Sequence, residues 1–258
     1  MTHVSRRRLL QLGGMAAAAT AGSLILPRPS AATAIAPREA VRVVGDPAPG
    51  VYRALDTDFG AGAVPSQAWF DAARAAGYDG LVTTLHTHWG GEARPWLAAH
   101  VALERALGAG MWTAAYGRPV SRWREALSHV PRDLRERLRF FGLDVGVEPR
   151  GRHEMRHEYV DGVTGEFGVR PVIYTGWGMW GDVMGYDNAE FAHVPLWEYA
   201  DDRFDWPDAV IDGDAVPFGG WNVDGNPRVG WQVQMQRPTL LGGVPVARNV
   251  FSRAFIDG

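Results

Sequence analysis

Three short apolar runs of this 258-residue chain end on carboxylates: Ala54-Leu55-Asp56-Thr57-Asp58-Phe59-Gly60, Gly142-Leu143-Asp144-Val145-Gly146-Val147-Glu148-Pro149, and Leu196-Trp197-Glu198-Tyr199. Read as strands, they alternate their side chains. Asp144, Gly146 and Glu148 then share one face, as do Asp56 and Asp58, while Leu143, Val145 and Val147 take the opposite, helix-covered face. An acid inside an apolar strand is costly to bury unless it has a partner or a task. Taken singly, each acid reads as a cap for the loop that follows. Acids closing two strands around one groove are what glycoside hydrolysis needs. One carboxyl donates a proton, and the other stabilises an oxocarbenium-like state or activates water.

Two other constellations compete. His153-Glu154-Met155-Arg156-His157 has the spacing of a zinc-peptidase helix, with two imidazoles one turn apart and a Glu between them. A third ligand does not follow: Val160 stands where the metzincin pattern has Gly, and Glu166 lies too near for the common Glu-zincin layout. On a barrel reading this stretch is a surface helix, so no metal is expected. His86-Thr87-His88-Trp89 closes another apolar run, where His86 and His88 read as a polar groove wall. Tyr174, Trp177, Trp180 and Trp197 lie near strand ends and could stack on sugar rings, although each taken alone reads first as core.

The elements that must position these residues follow a repeating order. Strands are predicted at 51–57, 80–84, 111–116, 140–147 and 171–175. Helices are predicted at 66–76, 94–107, 121–138 with a break at Pro131, 152–166, and in short pieces up to 192. Three further strands at 194–199, 229–234 and 244–251 follow without convincing helices between them. Five strand-helix units and three strands predict an α/β fold, a TIM-like barrel of the (β/α)5(β)3 type with mainly parallel strands. A doubly wound open sheet is the rival, but no glycine-rich phosphate loop follows the first strand.

Residues 1–36 read as a twin-arginine signal peptide. Ser5-Arg6-Arg7-Arg8-Leu9-Leu10 precedes a moderately apolar, Ala-rich stretch and small-residue cleavage sites at Ala32-Thr33-Ala34 and Ala34-Ile35-Ala36. That stretch is about a dozen residues, short of the roughly 20 needed to cross a bilayer, so no membrane anchor is expected after cleavage. Residues 37–49 form a lead-in, and residues 50–258 form one barrel domain, expected to be a monomer. With the signal removed, 22 basic residues face 29 acidic ones, a net charge of −7. That balance disfavours nucleic acid and anionic membrane surfaces as ligands. There is no cysteine, so neither disulfides nor thiolate metal sites exist, and a core of this size needs no staples.

From about Gly50 to Phe251 the sequence resembles glycoside hydrolase family 25, the muramidases that cut bacterial cell-wall glycan. Asp56 matches the family's first strand, which ends in Asp. Trp69 and Ala75-Ala76-Gly77-Tyr78-Asp79 match its first helix, and Pro171 to Thr175 its Pro-Val-Ile-Tyr-Thr strand. Trp197, Trp231-Gln232 and Asn249-Val250-Phe251 match its last three strands. Two positions depart from the pattern. On the fourth strand the family's Asp-x-Glu becomes Asp144-Val145-Gly146-Val147-Glu148. Either Asp144 is the matched Asp with Gly146 in the Glu position, or Glu148 is the matched Glu with Gly146 in the Asp position. The second reading is preferred here because Pro149 sets Glu148 at an open strand end. Ala247 stands where the family usually has Asp.

The resemblance implies a secreted enzyme that hydrolyses the β-1,4 bond of peptidoglycan without a cofactor. Glu148 would protonate the leaving oxygen, and Asp56, helped by Asp144, would stabilise charge or orient the substrate's acetamido group. Asp58, His86, His88, Tyr174, Trp177, Trp197 and Glu198 would line the groove. The alternatives are a glycan-binding barrel that does not cleave, and a zinc peptidase using His153, Glu154 and His157.

Overall fold

A computed structural model describes residues 50–58, 64–86, 95–148, 151–152, 154–199 and 215–258. The signal and lead-in segments, together with His88 and His153, lie outside the described residues. The chain opens with β1 (Val51–Thr57), α1 (Gln67–Ala75), β2 (Gly80–His86), α2 (Pro95–Gly108) and β3 (Trp112–Arg118). Two short helices, α3 (Trp123–His129) and α4 (Arg132–Arg135), flank Pro131, which breaks the helix as expected. Then come β4 (Leu138–Asp144), the two-residue strands β5 (Val147–Glu148) and β6 (Gly151–Arg152), α5 (His157–Phe167), β7 (Pro171–Thr175) and α6 (Trp177–Val183). The chain finishes with β8 (Leu196–Tyr199), β9 (Gly230–Leu241), β10 (Val244–Ser252) and the short α7 (Arg253–Asp257).

Eight strands close into a barrel in the order β1-β10-β9-β8-β7-β4-β3-β2. The strands from β1 through β2, β3, β4, β7 and β8 to β9 pair in parallel, whereas β10 runs antiparallel to both β9 and β1. The expected five-plus-three barrel is therefore present. Strand alternation builds its two layers. Inward positions Ala54, Val82, Ala114, Tyr116, Phe140, Val172, Trp197 and Phe251 form one cluster inside the barrel, with Ile256 of α7 beneath it. Small residues on β1 to β3 leave room for the large rings of β4, β8 and β10, and Phe140 and Trp197 meet edge to face at 6.1 Å. Gly142 belongs to the same fit, because a Cβ there would lie 2.7 Å from that of Tyr116.

Outward positions Leu85, Leu143, Val145, Ile173 and Leu196 pack under helices through Leu103, Trp123, Leu127, Val163 and Trp180. On the other side Leu55, Leu81 and Val246 meet Phe70, Ala73, Ala102 and Ala106. Leu143 and Val145 thus take the helix-covered face that alternation assigned to them.

The fourth strand departs from its expected range of 140–147. β4 begins at Leu138 and ends at Asp144, and Val147–Glu148 pair instead with Gly151–Arg152 in a separate two-stranded ribbon. Glu148 therefore does not continue the barrel strand. The following helix also starts later than residue 152, because Arg156 is still extended at φ −139° and ψ 145°.

Candidate active site

Asp56, Asp58 and Asp144 gather at the C-terminal mouth of the barrel, where strand ends of such folds present reactive groups. Asp56 stands one residue before the end of β1 and is only 3% exposed. Its Oδ2 accepts a 2.8 Å hydrogen bond from Gln232 Nε2 on β9, and Gln232 Oε1 in turn accepts from the Tyr174 hydroxyl at 3.0 Å. Asp56 Oδ1 is buried and has no hydrogen-bond partner. Burial, followed by the charges of Asp58 and Asp144, pushes the Asp56 carboxyl up to about 8, although the Gln232 hydrogen bond favours its ionised form. Asp56 is thus a neutral acid at pH 7.

Asp144 is the last residue of β4, opposite Tyr174 on β7, and lies 3.6 Å from Arg118 Nε at the end of β3. Tyr116 and Tyr174 lie near both acids. Burial first, and then nearby charges that include Asp56, hold both phenols well above their ordinary value, so both stay protonated. Tyr116, Tyr174 and Tyr199 form an aromatic wall, with ring centroids 5.4 Å and 5.7 Å apart along the series.

The two departures from the family pattern fall beside these acids. Ala247 is the cross-strand partner of Asp56 and is buried, so nothing polar faces Asp56 from that position. A Cβ at Gly146 would meet Asp144 Oδ1 at 3.4 Å, so a longer side chain there would start next to Asp144.

The other expected site residues divide. Tyr174 is in the cluster, and Asp58 follows β1 exposed at the mouth. Trp177 starts α6 and is 45% exposed. The backbone of His86 ends β2 opposite Arg118. Trp197 does not offer a face to a groove. It is 0% exposed inside the barrel, and its Nε1 donates to Asn249 Oδ1 at 2.9 Å. Trp180 is likewise core.

Glu198 also departs from its expected role. It takes the outward parity of β8, where Oε2 accepts from Arg228 Nη1 at 2.7 Å and from Asn222 Nδ2 at 3.0 Å. The Arg228 guanidinium lies 4.0 Å over the Trp231 ring, which completes a sealed ion pair that ties the 215–229 segment to the barrel.

His157 is the first residue of α5, not the end of a helix shared with Glu154, and its Nε2 lies 2.7 Å from Glu190 Oε1. The helical geometry that a zinc-peptidase motif requires is therefore missing between 154 and 157. Among the described residues no group of three or more His, Asp or Glu side chains is placed to hold a metal ion.

Sequence reasoning did not pick out Tyr116, Arg118 or Gln232 as site residues. The available signal was inward parity: Tyr116 and Arg118 continue the inward series of Ala114, and Gln232 sits as an amide between Trp231 and Val233.

No protein-family profile and no curated protein matches this sequence. Solved structures do match its fold. A muramidase from Acremonium alcalophilum aligns at TM-score 0.56 and 19% identity, over 80% of this chain and 99% of that one. A bacterial lysozyme from Streptomyces coelicolor aligns at 0.54 and 19%, over 80% and 94%. A family GH25 lysozyme from Aspergillus fumigatus aligns at 0.55 and 17%, over 78% and 94%. The closed barrel of five strand-helix units and three strands is the lysozyme-type barrel of that family, the fold that the sequence resemblance implied.

Proposed function

We propose that this chain is an exported glycoside hydrolase that cleaves β-1,4 bonds in the glycan of bacterial peptidoglycan. The observation that carries the reading is the cluster of Asp56, Asp58 and Asp144 at the mouth of a barrel whose structural neighbours are muramidases and lysozymes. Glu148 is the proton donor to the leaving oxygen, and Asp144 and Asp58 bring negative charge to the developing oxocarbenium. Asp56, neutral at pH 7 and buried, brings no charge of its own; through Oδ2 it holds Gln232, which in turn is bonded by Tyr174. The reaction needs no cofactor.

Incubating the mature protein with purified peptidoglycan is expected to release new reducing ends and soluble muropeptides, measured by reducing-sugar assay and mass spectrometry. A second reading is favoured by Gly146 and Ala247, which leave the acids without the neighbours that the family pattern has: a barrel that binds this glycan and does not cut it. Co-sedimentation with peptidoglycan and no new reducing ends would establish that reading and overturn the first.

Export through the twin-arginine pathway completes the proposal. Replacing Arg6 and Arg7 with Lys is expected to leave the precursor in the cytoplasm, because the receptor reads paired guanidinium groups. Immunoblotting of cell and medium fractions checks this, and normal secretion of the variant refutes it.

A further inference from the structure

We propose that the Trp177–Tyr186 pair is an outer stacking platform that takes a sugar ring of a long glycan strand beyond the carboxylate cluster. This rests on the peptidoglycan reading and adds to it a preference for strand length. Trp177 and Tyr186 are 45% and 41% exposed, and they are the exposed aromatic side chains among the described residues. Their rings touch, with centroids 4.6 Å apart and planes tilted by 35°. Exposing two large rings together leaves a stability gain unused unless something covers them.

The pair adjoins the mouth of the barrel. Trp177 follows Gly176, the residue after β7, and a Cβ at Gly176 would lie 2.9 Å from the Tyr199 carbonyl oxygen and 3.0 Å from its ring. That close approach sets the start of α6 against Tyr199. The aromatic wall then leads through Tyr174 and Gln232 to Asp56.

The platform is also held in place. Tyr186 lies directly on α6 at Gly181, where a Cβ would come within 2.1 Å of its ring. The Tyr186 carbonyl accepts a 2.9 Å hydrogen bond from the Gly219 amide. Rings fixed before the ligand arrives lose little freedom on binding. The net charge of −7 left after the signal repels nucleic acid, whose bases are the other ligands that stack on such platforms. An uncharged pyranose face, apolar on its C–H side, suits both the rings and the charge.

The test is calorimetric titration of single disaccharide units and of strands several disaccharides long, both prepared from peptidoglycan. Wild-type protein is expected to prefer the long strand. Trp177→Ala and Tyr186→Ala should each reduce that preference by about tenfold, while Tyr186→Phe, which keeps the ring face, retains it. Three results overturn the platform: an equal loss at both lengths, no loss at either, or a Phe variant that behaves like Ala. Wild-type protein that binds neither length overturns the peptidoglycan reading itself, and the platform with it.

Discussion

Glu148→Gln is expected to lower turnover of peptidoglycan glycan by roughly 10²- to 10⁴-fold, the range over which a positioned general acid contributes. The amide keeps the shape of the side chain but has no acidic proton to give to the leaving oxygen. Glu148 is four residues beyond Asp144, so their backbones lie at most about 14 Å apart. The ribbon formed with Gly151–Arg152 carries it past the end of β4. Asp144→Asn should cost less, because Asp144 supplies charge rather than the proton and already shares that charge with Arg118. Initial rates on purified peptidoglycan, measured with glycan binding in parallel, decide between the two acids. A dead Asp144→Asn beside an active Glu148→Gln would make Asp144 the working acid and Glu148 a bystander on the ribbon. Full activity in both variants would remove strand 4 from the acid chemistry altogether.

How far the sequence discloses this site depends on whether a residue's role is set locally. The barrel was legible because strand alternation and helical spacing are local patterns, and every inward position from Ala54 to Phe251 obeys them. Asp56 and Asp144 were legible for the same reason, as acids closing apolar runs. The end of the fourth strand was not. Val145 and Val147 continue a β pattern, but which partner the segment pairs with is a tertiary matter, and Val147–Glu148 pair with Gly151–Arg152 rather than with a barrel neighbour.

The length of β9 was hidden likewise. The strand predicted at 229–234 is carried by pairing with β10 to Leu241, and Gly242 and Gly243, both with positive φ, make the turn. Trp197 and Glu198 exchange appearances. The aromatic expected at the groove fills the barrel, and the acid beside it is sealed against Arg228, a partner 30 residues away that no spacing rule connects to it.

Asp56→Asn is expected to stabilise the protein at alkaline pH and to leave it almost unchanged in acid. In the unfolded chain an aspartate loses its proton near its ordinary value of 3.8, whereas the buried Asp56 keeps its proton up to about 8. Between those values the folded protein binds one proton more than the unfolded chain, so raising the pH favours unfolding. The wild type is therefore favoured most below the lower value and loses ground through the window, by about 1.4 kcal/mol for each pH unit. Above the upper value the loss levels off. Asn keeps the acceptor for Gln232 and places an N–H where the protonated acid has its O–H, but it has no proton to lose.

The melting temperatures of the two proteins should coincide near pH 4 and separate as the pH rises, to a gap on the order of 10 °C by pH 9. A gap independent of pH would mean that Asp56 is ionised in the folded protein, and its role as a neutral partner of Gln232 would fall. The same substitution separates the roles of the acids. If Asp56 serves the glycan by holding Gln232 in place as a neutral partner, Asp56→Asn should keep glycan affinity at pH 6. It should also hold that affinity at pH 9, where the wild type instead carries a buried charge.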